Sequence, residues 1–211
     1  MIGVYGGTFD PVHYGHLRTA LEVQQQLGLT ELRFIPAASP PHRQPPQATA
    51  RQRLAMVTRA LAGQPGMRVD DRELGRAGPS YMVDTLASLR AEYPATPLVL
   101  ILGMDALLGL PGWYQWTRLL ELAHIAVMER PGVALPAEGE LAELVRRHRV
   151  ADAGALALQP AGGMAFVPVS QLAISATTIR ALLAAGRSPR FLLPDSVLDY
   201  IRNEGLYGMS G

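Results

Sequence analysis

Residues 98–102 read Leu-Val-Leu-Ile-Leu, the longest solid apolar run in the chain, bounded by Pro97 and Gly103. Such a run suits a central strand of a parallel sheet, where both faces are covered and no polar alternation is needed. It is far too short to span a bilayer. Parallel strands need crossovers, so helices should alternate with strands along the chain. The rest of the sequence agrees. Segment 2–5 is short and apolar with β-branched Ile2 and Val4, and a helical pattern follows over 14–27, stopped by Gly28. Segment 32–35 reads as a second strand. Five prolines within 36–46 predict a loop. Thr49 with Gln52 predicts a capping box opening a helix to about Leu61.

The alternation continues. Segment 67–70 is strand-like, Ser80 is a candidate N-cap for a helix to Glu92, and 125–128 suits another buried strand. Segment 131–163 is less regular, with a candidate helix over 138–149, and reads as an insertion. A last unit has a strand at 166–169, Ser175 as N-cap and a helix over 176–185, followed by a terminal helix over 194–202 with Pro194 in its first turn. The fold class expected is α/β: a Rossmann-like, doubly wound parallel sheet with helices on both faces, in a single domain over 1–211 with a helical C-terminal part over 170–211. Ligands of such sheets sit outside the C-terminal ends of the strands, so functional residues should stand just after strands.

Two absences narrow the chemistry. The chain has no cysteine, and all 19 of its positive side chains are arginine. Disulfides, thiol nucleophiles, thiolate zinc sites and iron–sulfur clusters are excluded, as are a P-loop lysine and Schiff-base mechanisms. A net charge of +1 argues against a dedicated nucleic-acid binder. No basic leader precedes an apolar stretch, so no signal peptide is expected and a cytoplasmic location is the default.

The first strand runs into Gly6-Gly7-Thr8-Phe9-Asp10-Pro11-Val12-His13-Tyr14-Gly15-His16. Two glycines after a strand let backbone approach a ligand, and the following helix offers free N–H groups and a positive dipole end. The dinucleotide fingerprint G-x-G-x-x-G is absent, which removes the main support for a dehydrogenase. His13 and His16 share one face of the helix start. Three readings stand side by side: ordinary surface histidines, two ligands of a metal site lacking a third, or a pair donating to phosphate.

The segment resembles the G-G-T-F-D-P-x-H-x-G-H signature of the H-x-G-H nucleotidyltransferases. Their fold is Rossmann-like, and they transfer a nucleotidyl group from ATP or CTP to a phosphate, releasing pyrophosphate. Near the other end, Ile174-Ser175-Ala176-Thr177-Thr178-Ile179-Arg180 resembles the I-S-S-T-x-I-R element that grips the triphosphate in that superfamily, departing at Ala176. Taken on its own, the segment is a helix start rich in hydroxyls and free of acidic residues, compatible with an anion site or with an ordinary cap and a surface arginine.

The middle of the chain resembles one branch, the bacterial nicotinate mononucleotide adenylyltransferases. Ser80-Tyr81-Met82-Val83-Asp84-Thr85-Leu86 is similar to S-Y-T-x-D-T-L, with Met82 at the threonine. Gly103-Met104-Asp105 is similar to the G-x-D element that meets adenosine, and the stretch Leu110-Pro111-Gly112-Trp113-Tyr114-Gln115-Trp116 to L-P-x-W-x-x-W. His42-Arg43 carries arginine where that branch usually has lysine, a change of geometry at constant charge. Trp113, after a Pro-Gly break, is read as an exposed loop position able to stack on a pyridine ring, with core packing as the alternative; Trp116 is read as structural.

The resemblance implies an adenylyltransferase joining ATP and nicotinate mononucleotide to give deamido-NAD and pyrophosphate in NAD biosynthesis, without a covalent enzyme intermediate. It assigns His13, His16 and Arg180 to catalysis and Gly6, Gly7, Thr8, Phe9, Gly103, Asp105, Ser175 and Thr177 to ATP. His42, Arg43, Thr85, Trp113 and Tyr114 go to the mononucleotide. Arg130 is either a further phosphate contact or a surface arginine. Mg²⁺ arrives with ATP, and no protein metal site, nucleic acid or membrane is expected; homo-oligomerisation stays open. Pantetheine-phosphate or nicotinamide-mononucleotide adenylyltransferase, or a non-catalytic nucleotide-binding regulator, are the alternatives.

Overall fold

The structure is a computed structural model that describes residues 1–40, 45–130 and 132–208. Six strands form one parallel sheet: β1 (Ile2–Gly7), β2 (Glu31–Pro36), β3 (Met67–Val69), β4 (Leu98–Gly103), β5 (His124–Glu129) and β6 (Met164–Pro168). Their order is β3-β2-β1-β4-β5-β6. The crossover helices are α1 (Tyr14–Leu27), α2 (Ala50–Leu61), α3 (Met82–Glu92), α4 (Met104–Leu108), α5 (Leu119–Leu122) and α6 (Glu140–His148); α7 (Ala176–Ala184) and α8 (Asp195–Asn203) follow the sheet.

The apolar run in β4 is central, as its composition demands. Val99 and Ile101 pack into a cluster built from α1, α2, α7 and α8. Leu98, Leu100 and Leu102 face the opposite cluster beneath α3 to α6. Both faces of the strand are therefore dry, and each such side chain is worth about 1.5–3 kcal/mol when fully buried.

Helix ends follow local chemistry. Gly28, at φ 61°, takes the left-handed conformation that ends α1. Thr49 and Gln52 close the expected capping box on α2. Ser175 Oγ accepts from the Thr178 backbone N–H at 3.1 Å and caps α7. Ser80 does not cap α3. Its hydroxyl accepts from the Ser39 N–H at 3.0 Å, a tie to the loop after β2, and Tyr81 occupies the cap position without a side-chain bond. Pro194 is the residue before α8 rather than part of its first turn.

The segment before β6 is pinned to the sheet by buried polar groups. His124 on β5 accepts from the Gly163 N–H through Nδ1 and reaches the Gln159 carbonyl through Nε2, both at 2.8 Å. These bonds fix a neutral ring with its proton on Nε2. Arg90 donates to the Leu122 and Pro160 carbonyls, each at 2.7 Å.

One relationship matters most for function. The chain runs outward from β1 to β2 and β3, then returns to β4 on the other side of β1. The C-terminal ends of β1 and β4 thus flank the point where the winding reverses, the place of the ligand crevice in sheets of this kind.

Candidate functional site

The turn after β1 forms one wall of this crevice. A Cβ built on Gly6 would lie 2.4 Å from the Met82 methyl, so the α3 side chain presses directly on the strand end. Phe9, at φ 50°, folds its ring back over Gly7, and a Cβ there would meet the ring at 2.7 Å. The Phe9 ring is buried among Tyr5, Phe34 and His16. Phe9 can therefore offer a ligand only its backbone.

His13 precedes α1 in extended conformation and leaves the helix N-terminus without a side-chain cap. The first turn of α1 carries no acidic residue. The His13 and His16 rings are stacked with centroids 3.8 Å apart. His13 is 5% exposed, and burial pushes its pKa down to about 4, so the ring is neutral at physiological pH. Its Nδ1 is buried with no partner in the protein. A buried ring nitrogen left unsatisfied is costly and is expected to meet a ligand. The metal reading loses ground: among the described residues no group of three or more His, Asp or Glu side chains could hold an ion.

The start of α7 closes on the same place. A Cβ on Gly15 would stand 3.0 Å from the His13 ring and 3.4 Å from the Ile174 carbonyl, so glycine is what lets the two helix starts approach. Like α1, α7 has no acidic residue in its first turn. Two uncompensated positive dipole ends therefore converge. Arg180, on α7, crosses to the first turn and donates from Nη1 to the Asp10 carbonyl at 2.6 Å. Its Nη2 reaches the Thr177 hydroxyl at 3.4 Å, and its Nε has no partner. Residues 13, 16, 175, 177 and 180 are thus brought together from opposite ends of the chain.

Across the crevice, Gly103 ends β4 and Asp105 lies in the first turn of α4. Asp105 is exposed and pairs with Arg130, from the end of β5, at 3.1 Å. Both side chains of this pair are largely exposed.

The mononucleotide candidates are placed less uniformly. Thr85 is fully buried; its hydroxyl donates to Glu73 Oε1 at 2.6 Å and accepts from Arg76 at 3.1 Å. Its backbone N–H is taken up as well, bonded to the Tyr81 carbonyl at 3.3 Å in the first turn of α3. Trp113 follows a short 3₁₀ turn, as its Pro-Gly context suggests, but it is half-buried against the cluster beneath α3 to α6, and so is Trp116. Burial does not separate the two tryptophans as the sequence reading did. Tyr114 is exposed and stacks on Tyr81 at 4.5 Å, joining this loop to the start of α3. His42 and Arg43 lie outside the described residues.

Three residues that sequence reading passed over support the site from beneath. Arg53 is 1% exposed. It donates to the Thr8 carbonyl at 2.7 Å, to Ala37 at 2.6 Å and to Ala38 and Ala48, fastening the turn after β1 to the loop after β2. Its signal was its register: Arg53 shares the buried stripe of α2 with Met56, Val57 and Leu61. Asp10 is buried and accepts from the Gln47 and Ala48 N–H groups at 2.9 and 3.1 Å. Tyr207, almost two hundred positions away, donates to Asp10 at 2.7 Å, and no local pattern announces that contact.

The cytidylyltransferase-like family model matches residues 4–182 of the chain. A probable nicotinate-nucleotide adenylyltransferase of Methylococcus capsulatus is 54% identical over 208 residues, covering 98% of this chain and 99% of that protein. A protein of the same name from Aeromonas salmonicida is 52% identical, covering 98% and 96%. Among solved structures, the fold is similar to that of Plasmodium falciparum nicotinic acid mononucleotide adenylyltransferase complexed with NaAD. That match has a TM-score of 0.74 at 16% identity and covers 99% of this chain and 98% of the other.

Proposed function

We infer that this chain, which belongs to the cytidylyltransferase-like family, is an enzyme that joins ATP and nicotinate mononucleotide to give deamido-NAD and pyrophosphate. The observation that carries the reading is the convergence of His13, His16 and Arg180 on two helix starts free of acidic residues, beside the point where the sheet's winding reverses. Relatives spanning the full chain at about half identity support the choice of substrates.

In the reaction, a phosphate oxygen of the mononucleotide attacks the α-phosphorus of ATP, the bond to the bridging oxygen breaks, and pyrophosphate leaves. The attacking group is already anionic, so no protein nucleophile or base is needed. Catalysis is positioning and charge stabilisation. His13, neutral at physiological pH, donates a single N–H from the side of its ring that faces no protein group. His16 stands against it and contacts the α-phosphate. Arg180 and the hydroxyls of Ser175 and Thr177 hold the β- and γ-phosphates. Gly6 and Gly7 admit the nucleotide, and Gly103 and Asp105 meet its adenosine. Trp113 and Tyr114 hold the pyridine ring, with the region around Thr85 at the start of α3 beside its carboxylate. The use of ATP as substrate supports a cytoplasmic reaction.

Mg²⁺ belongs to the proposal as a passenger of ATP. The described residues do not form a protein site for it: no acidic cluster is present, and both oxygens of buried Asp10 already accept backbone N–H groups. No step is routed through the ion.

The test is pyrophosphate release with ATP and Mg²⁺, offering nicotinate mononucleotide, nicotinamide mononucleotide or phosphopantetheine in turn. Release is expected to be fastest with the acid. Faster turnover with phosphopantetheine would move the chain to another branch, and no release with any of them would overturn the enzymatic reading.

A further inference from the structure

A short turn over Leu206–Gly208 follows α8 and buries two of its side chains. Tyr207 is 8% exposed and sits at φ 59°, ψ 33°, a left-handed conformation that is costly for a bulky residue. Something must hold it there. Its hydroxyl donates to Asp10 Oδ1 at 2.7 Å, and burial together with that carboxylate keeps the phenol protonated far above its ordinary value. The same Asp10 oxygen accepts from the Ala48 N–H at 3.1 Å, and Oδ2 accepts from the Gln47 N–H at 2.9 Å.

The other side of Asp10 belongs to Arg180. Nη1 donates to the Asp10 carbonyl at 2.6 Å and lies 3.8 Å from Oδ2. Arg180 has no other carboxylate partner among its ion pairs, and its side chain is 23% exposed. The guanidinium is therefore held by the Asp10 carbonyl and, at 3.4 Å, by the Thr177 hydroxyl, while the carboxylate that faces it has its rotamer set by Tyr207 and two backbone N–H groups. Without the Tyr207 hydroxyl, the Asp10 carboxylate loses the donor that pulls it toward the C-terminal turn. Held then by the Gln47 and Ala48 N–H groups alone, it can close the 3.8 Å gap between Oδ2 and Arg180 and draw the guanidinium away from the phosphates.

We propose that Tyr207 is a positioning residue for ATP, acting through Asp10 to hold the Arg180 guanidinium turned toward the triphosphate. The inference rests on the assignment of Arg180 to ATP given above. It makes the last turn of the chain part of the nucleotide site although it touches no substrate.

The test is a double-mutant cycle on the full chain, with steady-state kinetics and a thermal melt for each variant. Tyr207→Phe removes one oxygen and keeps the ring. It should raise the KM for ATP about five- to tenfold, the scale for losing one ordinary hydrogen bond, and change the KM for nicotinate mononucleotide less than about twofold. Asp10→Asn, which keeps the backbone carbonyl, should shift the ATP KM in the same direction. In an Arg180→Lys background the effect of Tyr207→Phe should shrink below about twofold, because the group it positions is gone. An undiminished effect in that background, or equal changes in both KM values, would show a merely structural tyrosine and overturn the inference alone. An Arg180→Lys enzyme with unchanged ATP kinetics would instead overturn the assignment of Arg180, and the inference with it.

Discussion

The imidazoles of His13 and His16 lie with ring centroids 3.8 Å apart and planes inclined by 30°, one buried and the other half-buried at the start of α1. Two cations could not share that spacing without strong repulsion, and burial keeps His13 neutral. The pair therefore acts as hydrogen-bond donors rather than as a double positive charge. His16→Ala should lower kcat at least about 10²-fold, the scale for removing one transition-state donor. Single-turnover pyrophosphate release reads this directly, and near-full activity would remove His16 from the mechanism.

The neutral state of His13 has a consequence for stability. Its folded pKa of about 4 lies below the ordinary 6.5, so the unfolded chain binds the proton more readily. Stability from this group is complete above pH 6.5 and is lost as pH falls toward 4. Between pH 6.5 and 5 the loss should be about 2 kcal/mol from His13, at 1.36 kcal/mol per pH unit. His124 is shifted in the same direction by burial and adds to it. Denaturant unfolding at both pH values measures the difference. His13→Gln should flatten part of the slope, and a pH-independent midpoint would show that the ring is protonated in the folded state.

Arg53, 1% exposed, rests on four carbonyls from two loops. Arg53→Met should destabilise by about 3 kcal/mol or more, because those carbonyls stay buried without donors. For a chain of this size that is about 6–12 °C in Tm. Arg53→Lys should recover little, since a point ammonium cannot replace the fork. Calorimetry of the variants would show whether the loops after β1 and β2 depend on it.

Trp113→Ala should raise the KM for nicotinate mononucleotide more than the KM for ATP. Its half-buried position predicts a stability cost as well, so the ratio of the two KM values is the informative quantity. Equal effects on both substrates would assign Trp113 to packing.

Gly15→Ala tests the approach of the two helix starts. The new Cβ would press on the His13 ring at 3.0 Å and the Ile174 carbonyl at 3.4 Å. The ring can tilt, whereas the carbonyl belongs to the backbone leading into α7. The expected outcome is a folded enzyme with kcat/KM reduced about tenfold or more, since an ångström-scale misplacement is enough to cost that much. Unchanged kinetics would show that the spacing is slack.

The sequence by itself determined the layers and the order of elements. Period, caps and glycine stops are local properties: the apolar run of β4, the Thr49–Gln52 box and Gly28 behave in the fold as they read in the chain. Two halves of the site were legible for the same reason, because each is a short string at a strand end or helix start. Tertiary structure decided how those halves meet. Ser80 reads as a cap, yet its hydroxyl answers a loop that folding brings beside it. Thr85 stands on a motif, yet its hydroxyl faces Glu73. Tyr207 and Asp10 are far apart in sequence and 2.7 Å apart in space. Such contacts depend on side-chain direction after the sheet has closed, and hydrogen bonds of that range leave no periodic trace in the chain that makes them.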